Sequence, residues 1–249
     1  MSQTDYSNKQ EENNYANQSE QEEFVEESKQ IEEKNKYNEN SILKEKRILI
    51  GSDGSEYILQ PWLSKEKGLE VEKVSGIILK QREDGTFDSF LGGGAFGKFY
   101  VALKKSKNNN NNDQEEEICG IKVIVGKLED LKENLMEAKI QRDLTNGIPS
   151  SQESRLMPIL DVIEEKDSSG KLIRLNLVMP IASFGNVNSL REKLKLEKDI
   201  QLKRLINISI AQDLLIGIWQ MHCQNYYHLD IKLENMVVTS QGKKFKKQT

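Results

Sequence analysis

The stretch His228-Leu229-Asp230-Ile231-Lys232-Leu233-Glu234-Asn235, followed by Met236-Val237-Val238, decides how the rest of the chain is interpreted. It forms a turn between two apolar runs. A carboxylate (Asp230) is followed two residues later by a cation (Lys232) and three residues after that by a carboxamide (Asn235). A carboxylate can accept a hydroxyl proton, a cation can neutralise a phosphoryl group in transfer, and an amide oxygen can bind Mg²⁺. The alternative is a polar β-turn without a catalytic role.

Composition and charge limit the class of protein. The chain has 249 residues, 36% of them hydrophobic, which suits one or two domains. Residues 1–45 contain 12 acidic residues and 5 lysines, a net charge of −7, whereas the whole chain carries −4, so residues 46–249 carry +3. A weakly basic body suits an anionic nucleotide but gives no reason to expect nucleic-acid binding.

No targeting or membrane segment is expected. No apolar run approaches the roughly 20 residues that span a bilayer, and the polar, acidic N-terminus resembles neither a secretory signal nor a transit peptide. Two cysteines, Cys119 and Cys223, cannot form a disulfide framework, so reduced thiols are expected. These features predict a cytoplasmic or nuclear protein without membrane association.

The chain divides into three predicted parts. Residues 1–45 are rich in Gln, Asn, Glu and Ser and are predicted to be a disordered tail. Residues 46–85 are predicted to be an N-terminal β extension, an extra layer beside the following domain. Within it a hairpin is expected from Arg47–Gly51 and Glu56–Leu59, and a further strand over Val74–Leu79. Residues 86–249 form the main predicted domain.

A glycine-rich segment opens the main domain. It lies between predicted strands Phe87–Leu91 and Phe99–Lys104, unlike the strand-loop-helix context of a Rossmann or P-loop site. Where glycine removes the side chain, backbone N–H groups can approach phosphate oxygens closely. The alternative is a flexible hairpin turn. The glycines concerned are Gly92, Gly94 and Gly97.

A lysine inside the next apolar strand is the second signal. Lys122 lies in Ile118–Val125, and burying a lysine costs free energy unless it is paired. Apolar residues at helical spacing then predict an amphipathic helix over Lys127–Leu144. Glu137 on this helix is the expected partner of Lys122, with Glu133 as the rival. The alternatives are an outward-facing lysine and a glutamate on a solvated face.

The remaining predicted elements lead to the opening stretch. Two strands, Met157–Glu164 and Leu172–Met179, are followed by a short helix over Ser189–Leu196. A long helix is expected over Ile200–His222. Its apolar face is wide, so burial against other elements or against a partner is expected.

Four signals in this order resemble the eukaryotic protein kinases of the Ser/Thr type: the glycine loop, the strand lysine, the helix glutamate and the D-x-K-x-x-N stretch. Phe99 replaces the usual valine after the loop, and Leu229 replaces the arginine before the aspartate. The resemblance covers about Phe87–Lys244. It implies an α+β, protein-kinase-like fold, with an antiparallel β N-lobe and αC helix over 86–181 and an incomplete, mainly helical C-lobe over 182–249.

The resemblance also implies a reaction, the transfer of the γ-phosphoryl group of ATP to a Ser/Thr hydroxyl of a protein substrate, with ATP and Mg²⁺ as cofactors. Asp230 would orient the hydroxyl, Lys232 would offset the phosphoryl charge, and Asn235 would hold a metal ion. Lys122, positioned by Glu137, would hold the phosphates. The other implied nucleotide contacts are Leu91, Gly92, Gly94, Phe96, Gly97, Phe99, Gly120, Met179, Pro180 and Ala182.

The sequence reaches Thr249 about where the D-F-G motif of the family would begin. We therefore expect a kinase domain truncated just before D-F-G, with a partner covering the long helix. Two functions remain open. The chain is a piece of a Ser/Thr kinase, or it is a catalytically inactive, kinase-like fragment that serves as a nucleotide- or partner-binding scaffold.

Overall fold

The computed structural model describes residues 43–94, 97–105, 116–149 and 153–239. Residues 1–42, nearly all of the tail predicted to be disordered, lie outside the described residues. So do residues 240–249, after which the D-F-G motif was expected. The described residues belong to one compact unit that begins at Leu43.

Nine strands and four helices make up the described residues. The helices are α1 (Lys65–Ser75), α2 (Leu128–Gly147), α3 (Val187–Leu194) and α4 (Ile200–His222), and a 3-10 turn follows at Leu233–Asn235. The strands are β1 (Arg47–Ile50), β2 (Glu56–Leu59), β3 (Trp62–Leu63), β4 (Phe87–Asp88), β5 (Phe90–Gly94), β6 (Gly97–Lys105), β7 (Glu116–Ile124), β8 (Asp161–Lys166) and β9 (Leu172–Met179). No helix in the described ranges is long and apolar enough to cross a membrane.

Seven strands form one sheet in which every pairing is antiparallel. The order is β1-β2-β6-β7-β9-β8, and β5 pairs with β6 off this path. The short strands β3 and β4 pair separately. The hairpin predicted around Ser52–Ser55 is confirmed, and its second strand pairs directly with β6, Leu59 opposite Ala102. Residues 46–85 thus supply two strands to the same sheet that holds the glycine segment.

The sheet curls until its edge strands β1 and β8 meet through side chains. At one end Arg47 of β1 forms an ion pair with Glu165 of β8. At the other end, Ser52 donates its backbone N–H and its hydroxyl to Asp161 of β8, each over 2.9 Å. Side-chain bonds therefore close the sheet into a nearly complete barrel.

The barrel interior is the main core. Because successive side chains in a strand point to opposite faces, every second residue of the six strands on the path points inward. On β7, Cys119, Ile121 and Val123 lie inside and are nearly inaccessible. A fully buried aliphatic side chain contributes about 1.5–3 kcal/mol relative to an exposed one.

Two further apolar clusters lie on the outer face of the sheet. Helix α2 packs there through Leu131 and Ala138, against Ile124 and Leu177. The segment between β2 and β5 packs farther along: Val71 of α1, with Ile77, Leu79 and Phe87, covers Val101. Helix α4, by contrast, buries only Gly217, Gln220 and Met221.

The prediction of a protein-kinase-like α+β fold is wrong. In place of a β N-lobe followed by a mainly helical C-lobe, the described residues form a mostly antiparallel, nearly closed barrel with four helices. The physical reason lies in β1 and β2, which extend the sheet far enough for its edges to be bridged by the Arg47–Glu165 ion pair. The helix predicted over Ile200–His222 does have those bounds, but most of its apolar surface stays exposed.

Candidate functional site

A glycine hairpin, formed by β5 and β6, brings the predicted glycines together. Gly94 pairs with Gly97, and Gly92 with Phe99. Gly97 has φ +124°, and a Cβ there would come within 2.7 Å of the Val123 carbonyl oxygen. A Cβ at Gly92 or Gly94 would meet nothing within 4 Å. The β6 side of the hairpin thus lies tightly on β7 at Gly97, next to the turn, whereas its β5 side is open to free space at Gly92 and Gly94. Phe96, also predicted to contact nucleotide, lies outside the described residues.

Lys122 of β7 lies beside this hairpin, next to Gly97. It pairs with Phe99 of β6 on one side and Leu177 of β9 on the other, and its Cε would lie 3.4 Å from a Cβ at Gly97. In the described ranges its ammonium group makes no hydrogen bond and no ion pair. Burial lowers the pKa of Lys122, and the charge of Glu137 offsets this only in part. Lys122 is thus a partly buried lysine whose charge is not balanced by a bonded anion among the described residues.

Glu137 lies on α2, the helix that packs over the same face of the sheet. Its neighbour Ala138 is buried in the contact with the sheet, whereas Glu137 itself is exposed. Its charge acts on Lys122 from a distance, but the two side chains do not reach ion-pair distance among the described contacts. The predicted Lys122–Glu137 pair is therefore present as an electrostatic influence and not as a direct bond.

The segment after β9 lies beside the same strand. Met179, at the end of β9, pairs with Gly120 of β7. A Cβ at Gly120 would be 3.4 Å from the Met179 carbonyl oxygen and 3.7 Å from that of Pro180. Gly120, Met179 and Pro180, which sequence analysis assigned to one site, are therefore neighbours. Leu91 and Ile181 each pack against the adjacent apolar cluster, and Ala182 follows Ile181 in the chain, partly exposed.

The opening stretch forms a tight, exposed polar cluster. Lys232 Nζ lies 2.7 Å from Asp230 Oδ2. Asn235, at the end of the 3-10 turn, donates its amide to the Asp230 backbone oxygen and to Asp230 Oδ2, each over 2.9 Å. The Asp230 N–H donates to His228 Nδ1 over 3.1 Å. The bond from Lys232, followed by that from Asn235, lowers the pKa of Asp230, which is therefore a carboxylate at neutral pH.

A short backbone ladder attaches this cluster to the segment after β9. The N–H of Phe184 donates to Val238 O over 3.0 Å, and that of Val238 donates to Gly185 O over 2.8 Å. Val187, at the start of α3, donates to Met236 O over 2.8 Å. These bonds hold residues 236–238, which follow the polar cluster, against residues 184–187, which follow Met179–Ala182. No hydrogen bond or ion pair within the described ranges joins Asp230 to Lys122.

The implied Mg²⁺ can be compared with the oxygen atoms present. Asn235 uses its amide nitrogen for Asp230 and leaves Oδ1 without a hydrogen bond from any described residue. Mg²⁺ is commonly held by one or two protein oxygens plus phosphates and waters, so Asn235 Oδ1 fits as one ligand. No group of three or more His, Cys, Asp or Glu residues in the described part could hold a metal by itself.

Sequence analysis missed the layer that covers the site on one side. Ser183 donates its hydroxyl to the Ser75 carbonyl oxygen, at the end of α1, over 2.6 Å. The strand predicted over Val74–Leu79 is wrong, because Val74 and Ser75 end the helix Lys65–Ser75 and residues 76–79 are not in a strand. Ser64 caps the start of this helix and Gly76, in the left-handed conformation, ends it. That Ser…Gly bracket was the available signal.

In a comparison with known protein families, no family model matches the chain.

Proposed function

We propose that the chain binds ATP between the glycine hairpin and Lys122 and transfers its γ-phosphoryl group to a Ser/Thr hydroxyl of a protein substrate. The observation that carries the proposal is Lys122, a partly buried ammonium group without an ion-pair partner in the described residues, directly beside Gly97. A buried cation without a bonded counter-charge is costly, and a phosphate would supply that charge. Free space beside Gly92 and Gly94 lets phosphate approach the backbone.

In this proposal the polar cluster performs the transfer. Asp230, ionised at neutral pH, accepts the proton of the attacking hydroxyl. Lys232 moves from Asp230 to the transferring phosphoryl group and offsets its charge. Asn235 Oδ1 would hold Mg²⁺ together with the nucleotide, and the ion would supply positive charge to neutralise the phosphates. The two free thiols, Cys119 and Cys223, suit a cytoplasmic or nuclear compartment.

A second function, nucleotide or partner binding without transfer, is favoured by a separate observation. Lys122 and Glu137 do not meet, and Asp230 is occupied by Lys232 and Asn235. In this state the chain would hold nucleotide but lack an assembled transfer site.

Two matched pairs of variants separate these functions. Lys122→Met should weaken ATP binding, measured by calorimetry with Mg²⁺, by about ten- to a hundredfold, as expected for a lost charged hydrogen bond. Lys105→Met, on the neighbouring strand and paired with Glu116, is the control and should leave affinity unchanged. Equal affinity of both variants would contradict the nucleotide site.

Transfer is measured with radiolabelled ATP and a mixed protein acceptor. Asp230→Asn should lower it by about 10²–10⁴-fold. Asp167→Asn is the control, since Asp167 accepts similar local hydrogen bonds in an exposed turn. If the wild-type chain binds ATP but transfers no faster than Asp230→Asn, the binding function replaces the catalytic one.

A further inference from the structure

A buried carboxylate at the barrel closure is shared by three elements. Asp161, at the start of β8, is 2% exposed. It accepts both bonds from Ser52, in the turn after β1, and a third from the Val162 N–H over 2.8 Å. Arg142 of α2 approaches it as well, with Nη2 3.7 Å from Oδ1. The Asp161 side chain thus contacts the β1–β2 turn, the backbone of its own strand and helix α2.

Arg142 depends on this contact. Its Nη2 is buried and has no hydrogen-bond partner within the described ranges, so the carboxylate of Asp161 is its nearby compensation. Removing one member of a buried ion pair leaves the other uncompensated and is strongly destabilising. The C-terminal half of α2 is therefore held towards β8 by charge as well as by packing.

We propose that Asp161 is a positioning residue that acts through Arg142 to fix α2, and with it Glu137, relative to the strand that carries Lys122. Arg142 follows Glu137 by five residues on one helix, so a helix that shifts at Arg142 also carries Glu137 with it. The two bonds from Ser52 hold the Asp161 carboxylate in place, and they link the closure of the barrel to the position of α2. This inference concerns the helix alone and does not require nucleotide binding.

The proposal is tested by measuring the pKa of Lys122 in addition to stability. Glu137 raises the pKa of Lys122 against the larger, opposite effect of burial, and these are the influences on it among the described residues. Because α2 packs over the face of the sheet that carries Lys122, a shift of α2 changes both the burial and the Glu137 charge that set this pKa. The rate at which an amine-reactive ester acylates Lys122, measured by peptide mass spectrometry across pH, follows this pKa.

The variants are Asp161→Asn, Arg142→Gln and the double substitution, each checked for native circular dichroism. We expect both single changes to move the midpoint pH of Lys122 acylation in the same direction, by roughly 0.3, the size expected when a unit charge moves by about 1 Å. The double variant should shift no further, because both changes break one contact. Arg142 is partly exposed, so its variant folds even if Asp161→Asn does not.

Glu164→Gln is the matched control. Glu164 lies on the same strand as Asp161 and pairs with Lys166 over 3.1 Å. It makes no hydrogen bond or ion pair with α2 in the described ranges, so its loss should leave the midpoint unchanged. An unchanged midpoint in Asp161→Asn and Arg142→Gln, with stability lowered, would show a purely structural role and overturn the proposal. Additive shifts in the double variant would overturn it as well.

Discussion

The three glycines of the hairpin should respond very differently to one added methyl group. Gly97→Ala places a Cβ 2.7 Å from the Val123 carbonyl oxygen and 3.1 Å from Ile124 Cγ1, at φ +124°. The backbone conformation costs about 1–3 kcal/mol for a non-glycine residue, and the contact with backbone adds about 1–3 kcal/mol of overpacking. The free energy of unfolding should therefore fall by about 2–6 kcal/mol.

Two neighbours separate these contributions. Gly92→Ala meets nothing within 4 Å but has φ +145°, so it should show the backbone cost alone, about 1–3 kcal/mol. Gly94→Ala meets nothing within 4 Å and has no positive φ, so its effect should stay within about 0.5 kcal/mol.

Urea unfolding followed by circular dichroism measures all three, with equal m-values as the check for a common two-state transition. The expected order of destabilisation is Gly97→Ala, then Gly92→Ala, then Gly94→Ala. If Gly97→Ala were as stable as Gly94→Ala, the hairpin would not lie on β7 as described, and the placement of Lys122 beside it would fail.

Three further predictions concern single side chains. A thiol reagent should label Cys223, which is exposed, and spare Cys119, whose pKa is raised to about 12 by burial; rapid labelling of both would contradict the buried core. In Trp62→Phe, the remaining Trp219, 53% exposed, should emit near the wavelength of solvated indole and be quenched by acrylamide. Burial raises the pKa of Glu165, but an asparagine amide and two arginines outweigh it, so the net pKa lies below 4.5. Its contribution to stability is therefore complete above pH 4.5 and lost as pH falls through the lower folded value; Glu165→Gln should remove this acid dependence.

Local patterns explain what the sequence predicted well. The helices over Leu128–Gly147 and Ile200–His222 follow from apolar residues at helical spacing, and the glycine hairpin follows from two strands around a glycine run. These signals depend on near neighbours in the chain. The helix Lys65–Ser75 was missed. Its last two residues were assigned to a strand over Val74–Leu79, although Ser64 and Gly76 are typical of the start and the end of a helix.

The fold class could not be predicted, because it depends on distant pairs. Arg47 and Glu165, which close the barrel, are 118 residues apart, and nothing local to either indicates the other. The distances between the candidate site residues depend on such pairs as well and could not be predicted. Which residue of α2 faces the sheet is decided by packing: Ala138 is buried there, and Glu137 beside it stays exposed.

The closure of the barrel also has a consequence for the order of folding. Its bonds join residues 109 and 118 positions apart, whereas β8 and β9 are consecutive strands that form a hairpin. Contacts between distant residues require the closing of a long loop before they return any free energy, and they slow folding. The β8–β9 hairpin should therefore form early and the β1–β8 closure late. Substitutions that remove the Ser52–Asp161 or Arg47–Glu165 contacts should therefore accelerate unfolding and leave the folding rate nearly unchanged.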